Sequence, residues 1–308
     1  MTCGERGNAN LRTHASAVNC AARTKRVASL LSMGLFLPTR NRMNRGKSPM
    51  DLPGTVRASR DIPGGHRVLL ELEAERERVP AILLLPDATS ATGRRPGALL
   101  LHGFTSRKER MTEGVGRALL TRGVATLAID LPLHGEREGS IDDLSLRKPL
   151  QLIGAWRLAL AEARQALDYL GELAAVDPQR LAIVGYSLGS YLAVVAAAED
   201  ARVRAIVLAS GGDLPEQTPF TTLVRAAADP LRSVRKLGGR PLLMVNGRYD
   251  RTIVAAQAER LFAAARDPKE IYWYNGGHWP PQHAIDHAGE WLAERLDDAS
   301  AGEARRSS

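Results

Sequence analysis

Three residues far apart in the chain have the types and settings that nucleophilic chemistry needs: Ser187, Asp250 and His278. Ser187 lies in Gly185-Tyr-Ser-Leu-Gly189, directly after the apolar run Leu181-Ala-Ile-Val184 and before apolar residues at helical spacing, Leu188, Tyr191, Leu192 and Val195. That pattern reads as strand, sharp turn, helix. The flanking glycines leave room for strand and helix to approach, and the turn lifts the serine oxygen above the sheet edge. A serine hydroxyl is a weak nucleophile at neutral pH. It requires a base, an acid to orient the base, and donors for the oxyanion that its attack creates.

Histidine suits the base because its pKa lies near neutrality. Of seven histidines, His14 is near the start of the chain and His66 opens a strand, while His283 and His287 fall in a helical pattern. His102 and His134 occupy loops after earlier strands. Only His278, in Asn275-Gly-Gly-His278, follows the final strand in a loop whose glycines let the imidazole swing over the sheet. The orienting acid must end a strand before that histidine. Asp250, closing Asn246-Gly-Arg-Tyr-Asp250, fits the chain order serine, acid, histidine. Asp130 is the rival, and reads better as a brace beneath the loop of His134. The oxyanion donors are expected to be the N–H groups of Leu188, next to the nucleophile, and of Phe104, in His102-Gly-Phe-Thr-Ser106. Thr105 and His134 are assigned with Tyr186 to the substrate pocket, although Tyr186 reads equally well as simple packing.

The elements that must position these groups follow from periodicity. Runs at 66–72 and 79–86 read as an antiparallel hairpin. Six further strands are predicted at 97–101, 124–129, 181–184, 204–209, 241–246 and 271–274. Helices are predicted over about 111–122, 152–172, 255–266 and 282–296, besides the one after Ser187. Strands alternating with helices imply an α/β fold: a mostly parallel eight-stranded sheet covered on both faces, with its ligand beyond the carboxyl ends of the strands. Residues 213–239 carry no strand pattern and are short enough for at most a small cap.

Charge narrows the function classes. The chain has 308 residues and a formal charge of +8, but nine of its basic residues and only one acid, Glu5, lie in 1–49. The remainder carries 33 residues of each sign, so the folded part offers no field for a nucleic acid. Residues 1–49 are expected to be a disordered extension, with Met50 as an alternative start, and 299–308 a disordered tail. The apolar run 27–37 is too short to span a bilayer. Both cysteines, Cys3 and Cys20, fall in the leading segment. A cysteine nucleophile and a cysteine metal site are thereby excluded from the rest, and a cytoplasmic protein without metal or cofactor is expected. Oligomeric state is not legible.

Taken in order, His102-Gly-Phe-Thr-Ser106, Asp130-Leu-Pro-Leu-His-Gly135, Gly185-Tyr-Ser-Leu-Gly189, Gly247-Arg-Tyr-Asp250 and Gly277-His278 resemble the α/β-hydrolase family across about residues 68–296. The nearest branch by resemblance is the dienelactone-hydrolase-like and prolyl-oligopeptidase-like esterases. Dienelactone hydrolases carry cysteine where this chain has Ser187, and the oligopeptidases add a large N-terminal domain that 49 residues cannot form. The resemblance therefore implies a simple carboxylesterase acting on small esters through an acyl-enzyme. An acyltransferase, thioesterase or peptidase on the same triad, or an idle binding protein, are the alternatives.

Overall fold

Apolar residues two apart along each central strand face opposite layers of helix, and this alternation builds the molecule. The computed structural model describes residues 54–74, 77–87, 94–140, 149–215 and 219–304. The expectations for 1–49 and for Met50 lie outside them. The strands are β1 (Thr55–Ile62), β2 (Gly65–Leu72), β3 (Val79–Pro86), β4 (Arg95–Leu101), β5 (Ala125–Ile129), β6 (Val176–Tyr186), β7 (Val203–Ala209), β8 (Leu242–Gly247) and β9 (Lys269–Tyr274). They form one sheet in the order β1-β2-β3-β5-β4-β6-β7-β8-β9. Pairing is antiparallel from β1 to β5 across β2 and β3, and parallel through the other strands.

The sheet thus has nine strands where periodicity predicts eight. The extra strand, β1, is exposed along seven of its eight residues. Its sequence, Thr-Val-Arg-Ala-Ser-Arg-Asp-Ile, offers no apolar face to read, because it lies at the sheet edge and pairs by main chain with β2.

On one face, Leu99, Leu101, Ile183, Ile206 and Leu208 pack with α3 (Pro149–Glu172), α4 (Leu188–Glu199) and α7 (Ala255–Ala264). On the other, Ala98, Leu100, Val184, Val207 and Val245 pack with Met111, Val115 and Leu119, and with α8 (Gln282–Ala304). Helix α8 runs past the predicted end at 296. The single helix expected over 111–122 is instead α1 (Lys108–Met111), a π-type turn at Thr112–Gly116 and α2 (Arg117–Leu120), with Gly114 at φ −85°, ψ −106°. A wide turn of this kind is tolerated where glycine is available. Residues 213–239 hold two short helices, α5 (Pro219–Ala227) and α6 (Pro230–Arg235). Asp213 binds the Arg225 guanidinium through both carboxylate oxygens at 2.8 Å. No helix among the described residues is long and apolar enough to cross a membrane.

The segment after β5 is fixed by charge buried in the core. Arg137 and Glu162 are both buried and paired at 2.9 and 2.8 Å, and Arg137 also donates to the Asp130 carbonyl at 3.2 Å. Arg137 also donates to the partly buried Glu77, so removing Glu162 leaves the guanidinium only partly compensated, at the low end of the about 3–5 kcal/mol that an unpaired buried charge costs. Glu162→Ala is therefore expected to lower stability by about 3 kcal/mol or more in urea unfolding. A loss below about 1 kcal/mol, the scale of an exposed pair, would refute the assignment of this pair as the loop's anchor.

Candidate active site

Ser187 sits at the junction of β6 and α4 with φ +52° and ψ −113°, a backbone conformation that costs a residue with a side chain about 1–3 kcal/mol. The junction is tight. A Cβ on Gly185 would lie 2.3 Å from the Gly189 carbonyl oxygen, and one on Gly189 would lie 2.1 Å from that of Leu101. Glycine at both positions lets β6, α4 and the end of β4 meet. The serine backbone is held there by its N–H, which donates to the Ala209 carbonyl at 2.9 Å, and by its own carbonyl, which accepts from Ser190 N–H at 2.9 Å and Ser190 Oγ at 2.6 Å.

His278 Nε2 lies 2.9 Å from Ser187 Oγ, and its Nδ1 lies 2.8 Å from Asp250 Oδ2. Asp250 is buried, and its other oxygen accepts the N–H groups of Thr252 at 2.8 Å and Ile253 at 3.0 Å. The carboxylate is thus fixed from its own loop while one oxygen faces the imidazole. The acid and histidine loops are also joined to each other. Tyr249 N–H donates to the Gly276 carbonyl at 2.9 Å, and a Cβ on Gly247 would meet the Gly277 oxygen at 2.2 Å.

Two supports for His278 are not legible in the sequence. Ser210 Oγ donates to the His278 carbonyl at 2.5 Å from a residue at φ +47°, and Tyr274 Oη donates to the Gly277 carbonyl at 2.8 Å. The signal for Ser210 is limited to its place at a strand end before two glycines. Trp279 and Arg110 are likewise missed by sequence reasoning. The Trp279 ring stacks on Tyr186 at 4.8 Å, the Tyr186 ring lies 5.3 Å from that of His278, and the Arg110 guanidinium covers Trp279 at 4.0 Å.

The remaining expected residues divide. Phe104 lies on the loop beside Ser187: a Cβ on its neighbour Gly103 would be 3.2 Å from the Ser187 Cβ. Leu188 opens α4, where the first N–H groups of a helix have no acceptor inside it. Tyr186 lines an apolar cavity of about 100 Å³ on the α8 side of the sheet; Thr105 and His134 do not line it. Thr105 is exposed. His134 is buried, with Nδ1 2.8 Å from the Pro132 carbonyl and Nε2 2.5 Å from that of Phe104. Its ring braces the loop of Phe104 where a pocket residue was expected, because both nitrogens are occupied by main chain. Asp130 binds Lys108 through N–H at 2.9 Å and Nζ at 2.7 Å, and accepts Glu136 N–H at 3.0 Å. That is the structural brace expected of it. Gly135, at φ +60°, is needed there, since a Cβ would sit 2.2 Å from the Asp130 carboxylate.

His102 is wholly buried. Its Nδ1 donates to the Gly103 carbonyl at 2.8 Å, while its Nε2 accepts Leu131 N–H at 3.0 Å. Only the neutral ring can do both. No group of three His, Cys, Asp or Glu side chains able to hold a metal occurs among the described residues.

This geometry can be set beside known proteins. The family model described as the alpha/beta hydrolase family matches residues 98–241. An uncharacterized protein of Mycobacterium tuberculosis strain H37Rv is 27% identical over 232 residues, 73% of this chain and 76% of that protein. A protein named hydrolase acrC from Aspergillus aculeatus is 35% identical over 153 residues, covering 46% of this chain and 33% of its own. Among solved structures, acetyl xylan esterase 1 from Thermoanaerobacterium superposes with TM-score 0.64 at 17% identity, over 80% of this chain and 89% of that one. A cold-adapted esterase from an Arctic intertidal metagenomic library superposes with TM-score 0.62 at 21% identity, over 77% and 97%. At these identities the superpositions speak for the fold. Sheet order, the superpositions and the match over residues 98–241 together define the α/β-hydrolase fold.

The environment of His102 has a consequence for stability. Burial pushes its imidazole down to about 4 from 6.5, against the opposing pull of its bond to Gly103. Above pH 6.5 folded and unfolded chains both hold the ring neutral, and its contribution to stability is complete. Between pH 6.5 and 4 the unfolded chain takes up a proton that the folded chain refuses, so stability falls as pH falls, by at most about 1.4 kcal/mol per unit. Urea midpoints of the wild type should drop more steeply over this window than those of His102→Gln. Equal slopes would refute the assignment.

Proposed function

We propose that this α/β-hydrolase is a serine carboxylesterase that cleaves small carboxylic esters through an acyl-enzyme. The observation that carries the reading is the continuous hydrogen-bonded line from the Ser187 hydroxyl through His278 to the buried Asp250 carboxylate, at 2.9 and 2.8 Å. In this reading Ser187 Oγ attacks the ester carbonyl carbon as His278 Nε2 takes the hydroxyl proton. Asp250 holds Nδ1–H and stabilises the imidazolium. The carbonyl oxygen, now anionic, is received by the N–H groups of Leu188 and Phe104, each worth roughly 3 kcal/mol in the transition state. Collapse breaks the bond to the alcohol oxygen, which leaves with the proton from Nε2. Water then attacks the acyl-enzyme, gives its proton to Nε2, and the returning proton restores Ser187 as the carboxylic acid departs. The esterases among the structural neighbours support the choice of an ester substrate. The substrate is a small molecule in this reading, and no cofactor takes part.

Ser187→Ala should abolish hydrolysis of p-nitrophenyl acetate and labelling by a fluorophosphonate. Asp250→Asn should lower kcat by about three to four powers of ten with the fold intact, since the imidazole then loses its orienting acceptor. Undiminished turnover by purified Ser187→Ala protein would end the proposal.

A further inference from the structure

We propose that Ser210 is a positioning residue for ester cleavage: a strained backbone holds its hydroxyl against the His278 carbonyl, and that bond sets the place of the imidazole. The inference rests on the esterase reading above and deepens it. The strain motivates it. Ser210 directly follows β7 at φ +47°, a left-handed conformation that glycine adopts freely and serine does not. The chain has glycine at hand, since Gly211 and Gly212 come next, yet the strained position itself carries a side chain. Ser210 is wholly buried, and its N–H donates to the Val245 carbonyl at 2.8 Å. The hydroxyl makes its bond elsewhere, to the His278 carbonyl at 2.5 Å, 68 residues on.

The loop that carries His278 needs such a hold. It joins β9 to α8 through Asn275-Gly-Gly-His-Trp-Pro-Pro281, in which two glycines add backbone freedom and two prolines have no N–H to donate. A Cβ on Gly277 would meet nothing within 4 Å, so the loop is not wedged in place at that point. Its main chain is held instead through three consecutive carbonyls. That of Gly276 accepts Tyr249 N–H at 2.9 Å, and that of Gly277 accepts Tyr274 Oη at 2.8 Å. That of His278 accepts Ser210 Oγ and, at 3.3 Å, Tyr186 Oη. The Ser210 bond is thus the shorter of the two on the residue that bears the imidazole. It also comes from the strand end next to Ser187, whose N–H donates to the Ala209 carbonyl at 2.9 Å, one residue before Ser210. Ser210 therefore ties the imidazole to the same strand end that holds Ser187, across the 2.9 Å between Nε2 and Oγ. Proton transfer over that gap tolerates an error of only about 0.5 Å in the placement of the two groups.

Two substitutions remove the hydroxyl with opposite effects on the backbone. Ser210→Ala keeps the Cβ and the strain, whereas Ser210→Gly loses the bond and relieves the strain. For the wild type and both variants, kcat and KM are measured with p-nitrophenyl acetate, together with the rate of fluorophosphonate labelling and the urea midpoint. Both variants should lose about ten- to a hundredfold in kcat, with KM changed by no more than about twofold. Labelling should slow by the same factor as kcat, because the same imidazole takes the serine proton in both reactions. Ser210→Gly should have the higher urea midpoint of the two variants and yet be no more active. A merely structural serine would give a different pattern: activity would follow stability, and the glycine variant would turn over faster than the alanine one. That pattern, or a kcat within about twofold of the wild type in either variant, would overturn the positioning role and leave the esterase reading standing. Wild-type protein that neither hydrolyses the ester nor takes the label would overturn the two readings together.

Discussion

The contact on which the site depends is the approach of three main-chain segments at Ser187. The end of β4, the end of β6 and the first turn of α4 come within van der Waals distance of one another, with no side chain between them at Gly185 or Gly189. Close packing leaves the intervening residue no choice of backbone conformation, and Ser187 takes up φ +52°. The strain is offset by bonds to Ala209 and Ser190 on either side. The same approach fixes where the serine oxygen stands relative to the loop after β4, which carries Phe104. The proposed nucleophile and the proposed oxyanion donor are thus set by one packing event.

The other half of the site is assembled by loops that bind each other and the ends of the strands beside them. Gly247 packs on Gly277, Tyr249 bonds Gly276, and Ser210 and Tyr274 bond the carbonyls of His278 and Gly277. The imidazole is then located by main-chain bonds, and its two nitrogens are left for Ser187 and Asp250. Beneath the opposite rim, His102, His134 and Asp130 spend their polar atoms on backbone groups and on Lys108. Three side chains with familiar chemical reputations serve there as struts.

Much of this was legible in the sequence because buried parallel strands and strand-end loops leave strong local marks. Ala98 to Leu101 and Leu181 to Val184 are continuous apolar runs, as strands covered on both faces must be. Asp250 and His278 each stand a few residues past the end of a strand, β8 and β9, so chain order alone brought them to the same rim as Ser187. Features that depend on partners distant in sequence left no such mark. Strand β1 pairs by main chain and shows no apolar alternation. The inward turn of His134 depends on the carbonyl of Phe104, 30 residues away. The role of Ser210 depends on a carbonyl 68 residues on. The stack joins side chains from helix α1, strand β6 and the loop after β9, and no short window contains it.

Strand β1 lies at the outer limit of the described sheet, with Arg57, Ser59, Arg60 and Asp61 exposed along it and a bulge between Val56 and Ala58. A regular apolar strand in that position would be a template for another chain. The charges of Arg57, Arg60 and Asp61 and the break in register make the border a poor one for continuing the ladder. The residues that gave the strand no readable pattern thereby make this edge a poor place for a second chain to extend the sheet.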